Sequence, residues 1–90
     1  MQLEQIRVFI AVARTGSFSV AARELFISHS TTSRAITALE DELGVRLIER
    51  ENSRVMGLTP AGKIVLEQGG ALLKGAEKLK ADAVSAKNER

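Results

Sequence analysis

A chain of 90 residues with no cysteine and one histidine has room for a single small domain, and it excludes both a disulfide framework and a zinc cage. Thirteen Lys and Arg against eleven Asp and Glu leave a net charge of +2, so bulk charge does not mark a polyanion as the partner and the placement of charge has to. No apolar run approaches the roughly 20 residues that span a bilayer, and Glu4, Arg7 and Arg14 interrupt the N-terminal stretch in a way unlike a secretory signal; a soluble protein of a reducing cytoplasm is expected, with no membrane partner, metal or cofactor.

Leu3, Ile6, Phe9, Ile10 and Ala13 form a one-sided apolar stripe, and Gly16 follows where a left-handed cap is wanted, which predicts a first helix over residues 2–15. Ser17 is a fitting N-cap for a second, with Phe18, Ala21, Ala22 and Leu25 facing inward. Phe26 and Ile27 fall in a short break. Ser28 then caps a third helix running to Leu43, with Gly44 as its stop.

This third helix has two unlike faces. Thr32, Ile36, Leu39 and Leu43 recur at spacings of four, three and four, the period of a helix seated on a core. Ser30, Ser33, Arg34 and Thr37 fall on the other side, a strip with no acid and no bulky apolar group. Such a strip can approach a polyanion closely and offer hydrogen bonds to base edges in a major groove. Ser28 and Thr31 suit a phosphate at the helix start, where orphan amides favour anions, and His29 is placed to reach a phosphate or a base. Glu40, Asp41 and Glu42 are expected to form a solvated face pointing away from the bound polyanion. Residues 1–59 balance seven basic against seven acidic side chains, so the remaining face, with Arg34, Arg50 and Arg54, is then net positive.

From Val45 the pattern changes. VRLIER is rich in branched aliphatics, ENS is a polar turn and RVMGLT returns, which predicts a two-stranded hairpin with a bulge or close approach at Gly57. Thr59 and Pro60 then open a long helix as cap and first residue. Gly62, Gly69, Ala76 and Ala83 repeat at seven, and Val65, Leu72, Leu79 and Ala86 repeat three residues later. This heptad stripe predicts a dimer seam through Val65, Gly69, Leu72, Ala76, Leu79 and Ala83. The division expected is a DNA-binding head over residues 1–59 and a linker and dimerisation helix over 60–90.

The phenylalanine and alanine pair of GSFSVAARELFIS, the SR of STTSRAI, LEDELGVRLIER and LTPAG together resemble the N-terminal DNA-binding region of a LysR-type transcriptional regulator. The resemblance covers nearly the whole chain. It implies a mainly α winged helix-turn-helix, three helices plus a two-stranded wing, followed by a linker helix that pairs antiparallel with its mate in a homodimer on a partly palindromic double-stranded operator. It also implies that Arg54, with Arg50 and Ser53 beside it, belongs to a wing at the flanking minor groove. A two-lobed effector-binding domain normally follows; these ninety residues are expected to stop at the linker helix, so no inducer site is expected in them.

The sequence departs from the family in places. His29 and Ser30 stand where glutamine and proline are frequent, Thr32 where an apolar residue is commoner, and Ile48 where phenylalanine is frequent. The segment between Arg50 and Thr59 is one residue longer than in many members. No nucleophile–base pair, phosphate-cradling glycine loop or ligand cluster is present, which argues against an enzyme. A dimeric module that holds a protein partner is the competing reading.

Overall fold

The computed structural model describes residues 1–52 and 54–87; Ser53, assigned above to the wing, lies outside the described residues. Four helices and one hairpin follow in the order α1 (Leu3–Thr15), α2 (Phe18–Leu25), α3 (His29–Leu43), β1 (Ile48–Glu51), β2 (Arg54–Leu58) and α4 (Pro60–Lys87). The caps set these limits. Gly16 and Gly44 close α1 and α3 in the left-handed conformation, and the hydroxyls of Ser17 and Ser28 accept the amides of Val20 and Thr31.

The first helix is the hub, packing on α2, α3 and α4. Val8, Ala11 and Val12 are therefore buried beside Ile6 and Phe9, while Leu3, on the predicted stripe, is exposed at the helix start. Ile36 and Leu39 of α3 and Leu47 and Ile48 complete the core. Thr32 is fully buried, and its hydroxyl donates to the Ser28 carbonyl at 3.0 Å, so a polar side chain occupies the inward face without a lost partner. Leu43, the last residue of the predicted stripe, lies beyond the core and is exposed.

The hairpin is shorter at its start than the aliphatic run suggests. Val45 to Leu47 stay outside the strand because the Leu47 amide bonds to a side chain of α3 and its carbonyl accepts the Thr59 amide at 3.1 Å. Ile48 pairs with Leu58, Glu49 with Gly57, Arg50 with Val55 and Glu51 with Arg54, so Met56 is the extra residue of a bulge. Gly57, at φ 156°, makes that bulge possible, as its position predicts.

Thr59 joins the two halves of the chain: its hydroxyl donates to the Arg46 carbonyl at 2.6 Å and accepts the Gly62 amide at 3.0 Å. The first turns of α4 then lie along α1. Gly69 is buried, and a methyl placed on it would come within 2.8 Å of Ile6 Cγ2, while Val65 packs against the core. Val65 and Gly69, which the heptad places on a dimer seam, thus belong to the packing of the domain itself. From Gly70 to Lys87 no residue is buried, and the helix projects from the head to give a molecule 58 Å long and 20 to 26 Å across. Among the described residues no helix is long and apolar enough to cross a membrane.

Candidate nucleic-acid interface

The outward strip of α3 is open along its length. Ser30, Arg34 and Thr37 are exposed and Ser33 is half-buried, on the side opposite the sealed Thr32, Ile36 and Leu39. Among the described residues no carboxylate lies within ion-pair distance of Arg34; the five ion pairs fall elsewhere. Its Nη2 instead donates to the Thr31 hydroxyl at 3.4 Å. That hydroxyl accepts from Ser28 Oγ at 2.8 Å, and Ser30 Oγ lies 3.2 Å from Ser28 Oγ. The start of α3 is thus a cluster of hydroxyls and orphan amides with one uncommitted guanidinium a turn further on, a surface suited to phosphate and base edges alike.

A polar cleft lined by Ser17, Ser19, His29, Arg54 and Val55 runs between the start of α2, the start of α3 and the wing. It brings His29 and Arg54 to one opening although 25 positions separate them in sequence. Both are exposed. His29 also sits against Phe18, with ring centroids 5.9 Å apart and planes tilted by 44°.

The acidic cluster is not the uniform solvated face expected of it. Asp41 and Glu42 are exposed, but Glu40 is only 7 % exposed. Its Oε2 accepts the amides of Leu47 at 2.8 Å and Ile48 at 3.3 Å, and its Oε1 lies 3.5 Å from Arg50 Nη2. The carboxylate opposes the helix dipole at that end, and the amides and the guanidinium offset the cost. Its inward position was encoded in the spacing: Thr32, Ile36 and Glu40 follow one another at four, on the same line of the helix. Arg50 departs from the open strip as well. Only a quarter of its side chain is exposed, its Cζ lies 4.9 Å above the Phe18 ring, and it shares a cleft with Thr37 and Glu40.

Residues 3–63 match the family model of the bacterial regulatory helix-turn-helix proteins of the lysR family. The chain belongs to the LysR family. It is 46 % identical over 81 residues to a probable cat1 operon transcriptional activator of Acinetobacter lwoffii, covering 90 % of this chain and 26 % of that protein. It is 47 % identical over 77 residues to the regulator ClcR of Pseudomonas putida, covering 86 % and 26 %. Among solved structures, the CbnR DBD–DNA complex superimposes with a TM-score of 0.91 at 35 % identity, covering 98 % of this chain and all of that one. The BenM DBD/catB site 1 DNA complex gives 0.92 at 32 % identity, covering 100 % and 99 %. The fold is therefore that of the winged helix-turn-helix domains of LysR regulators, and the chain spans about a quarter to under half of the length of the curated relatives it matches.

In this LysR-family domain the LTPAG segment has a structural explanation. Thr59 fastens α4 to the Arg46 carbonyl, Pro60 needs no amide partner at the first helical position, and Gly62 leaves room for the Leu47 carbonyl. Leu72, Ala76 and Leu79, three of the six residues assigned to the seam, line a shallow apolar groove with Gln68, Ala71 and Gly75, and Ala83 is exposed further along the helix. The groove faces roughly a quarter turn away from the side that α1 covers.

Proposed function

We propose that this chain is the sequence-specific, double-stranded-DNA-binding unit of a bacterial transcription regulator that acts as a homodimer in the cytoplasm, and that its role is binding and not catalysis. In this reading α3 enters the major groove with Arg34 on a base edge or phosphate, flanked by Ser30, Ser33 and Thr37. Ser28, His29 and Thr31 meet the backbone at the helix start, and Arg54 follows the wing into the neighbouring minor groove. One observation carries it: the strip of α3 that bears Ser30, Arg34 and Thr37 is open to solvent and free of acids, while the opposite side is sealed in the core.

The second copy is supported by the exposed apolar side of α4. Leu72 is 49 % and Leu79 71 % exposed, on a helix that projects beyond its own domain, and two such faces laid together would remove them from water. A two-fold dimer presents its recognition helices to successive major grooves, which requires half-sites about one helical turn, roughly 34 Å, apart or a multiple of it. The relatives named as transcriptional regulators and the neighbours solved with DNA support the same partner.

The test is a titration of binding to a random duplex and to a duplex selected from a random pool, across salt concentrations. Binding should weaken steeply, with a log–log slope of about −0.9 for each phosphate neutralised, and the selected site should be two-fold symmetric. A salt-independent interaction, or none, would return the exposed strip to the protein-partner reading.

A further inference from the structure

We infer that Arg50 is a positioning residue: it fixes the wing against both ends of the recognition helix and reaches DNA only through Arg54. This rests on the DNA-binding reading above and assigns Arg50 a different task from the direct contact expected of a wing cation.

Arg50 is tied at two places. Its Nη2 lies 3.5 Å from Glu40 Oε1 in the last turn of α3, and Glu40 is itself held by the Leu47 and Ile48 amides just before and at the start of β1. Its Cζ lies 4.9 Å over the ring of Phe18, the first residue of α2, and that ring packs on His29, the first residue of α3. Helix end, strand and helix start are thereby joined through one guanidinium. A planar, delocalised cation suits this place because it can lie over an aromatic face while directing a nitrogen at a carboxylate.

Arg50 also turns two of its three guanidinium nitrogens away from solvent. Nε and Nη2 are buried, and neither has a hydrogen-bond partner among the described residues. Leaving donors of a cation unmatched is costly, and the Glu40 carboxylate and the Phe18 ring offset part of that cost. Across the ribbon Arg50 pairs with Val55, next to Arg54, and Val55 and Arg54 both line the cleft with His29. A two-stranded ribbon has little stability of its own, so its attitude is set by such ties. Fixing Arg50 fixes the strand residue adjacent to the arginine that points at DNA.

A double-mutant cycle on the selected duplex, read across salt concentrations, tests this. Arg54→Ala should weaken binding and make the log–log salt slope shallower by about one unit. Arg50→Met should weaken binding about tenfold when Arg54 is present and less than about twofold when it is absent, with no further change of slope, because both changes remove one contact. Losses that multiply, with a second unit of slope lost, would make Arg50 a phosphate contact and overturn the inference, as would an Arg50→Met protein that binds like wild type. Should Arg50→Met fail to fold, Glu40→Gln takes its place: the amide oxygen still accepts the Leu47 and Ile48 amides while the charge facing Arg50 is gone. The same dependence on Arg54 is expected, and independence of it counts against the inference. A wild-type chain without salt-dependent DNA binding overturns the reading beneath it, whereas a wild-type chain that binds with multiplying losses overturns this inference alone.

Discussion

Gly62 lies so close to the carbonyl of Leu47 that no side chain fits between them: a methyl on Gly62 would overlap the carbonyl oxygen and press on Leu58 Cβ at 3.3 Å. That carbonyl cannot retreat, because it also accepts the Thr59 amide. Gly62→Ala should therefore separate α4 from the head and cost about 2 kcal/mol or more, whatever alanine gains in helix propensity. Gly70, in the same helix, has nothing within 4 Å of where its Cβ would be. Gly70→Ala should stabilise by up to about 1 kcal/mol. Paired thermal melts decide the matter: the midpoint should fall for the first variant and rise for the second, and an unchanged or higher midpoint for Gly62→Ala would show that Gly62 is not pinned as described.

Phe26 closes α2 in the left-handed region at φ 58° and is 94 % exposed. A bulky side chain in that conformation carries a backbone cost of roughly 1–2 kcal/mol, and here it covers no apolar surface in return. Asparagine tolerates this region and can make the same backbone cap, in which the residue 26 amide bonds to the carbonyls of Ala22 and Arg23. Phe26→Asn should raise the unfolding midpoint by a few degrees, equivalent to about 0.5–1 kcal/mol. A lower midpoint would mean that the ring is covered in solution, and comparison at two protein concentrations would show whether a second chain covers it.

The pattern of caps made the architecture legible. Gly16, Ser17, Ser28, Gly44 and the Thr59–Pro60 step each have a local physical job, and the helices begin and end within a residue of them. Thr32 was legible as a core position from its spacing alone, and the absence of acids on the Ser30–Thr37 strip marked the open face. Relations between distant segments were not legible. Glu40 lies on the inward line of α3, yet two acids follow it, and only the Leu47 and Ile48 amides, supplied by the turn after the helix, explain a buried carboxylate. Val65 and Gly69 share a heptad with Leu72 and Leu79, and a repeat gives the apolar side of a helix without saying what covers each part of it. Here α1 covers the first turns, leaving the later ones free. Arg50 illustrates the same limit, since a basic residue near a turn reads as a solvent-facing charge until Phe18 and Glu40 are brought beside it.

The free part of α4 gives a prediction about assembly. Leu72 and Leu79 lie on one side of the projecting helix with Ala71, Gly75 and Ala76 between them, so a charge at both positions would be buried against a like charge in a two-fold pair. Leu72→Lys with Leu79→Lys should give monomers by sedimentation where the wild-type chain gives dimers at micromolar concentration. The unfolding midpoint of the head should change little, because neither residue touches its core. A dimer that survives both changes would move the interface to another surface.

Arg34 is the residue on which sequence preference should depend most. It is exposed, among the described residues no carboxylate pairs with it, and its hydrogen bond to the Thr31 hydroxyl at 3.4 Å holds the guanidinium near the start of the helix without neutralising it. Arginine at such a place can take the paired acceptors of a guanine edge or a phosphate oxygen, and the two uses differ in what substitution does. As a base contact, Arg34→Ala should cost about 1 to 3 kcal/mol on the selected site and relax the preference at one base pair, with little loss on random duplex. As a phosphate contact it should weaken both duplexes alike and reduce the salt slope by about one unit. The first pattern is expected, because Ser33 and Thr37 flank Arg34 on a face with room to enter a groove. Unchanged affinity for both duplexes would mean that this side of α3 does not face DNA.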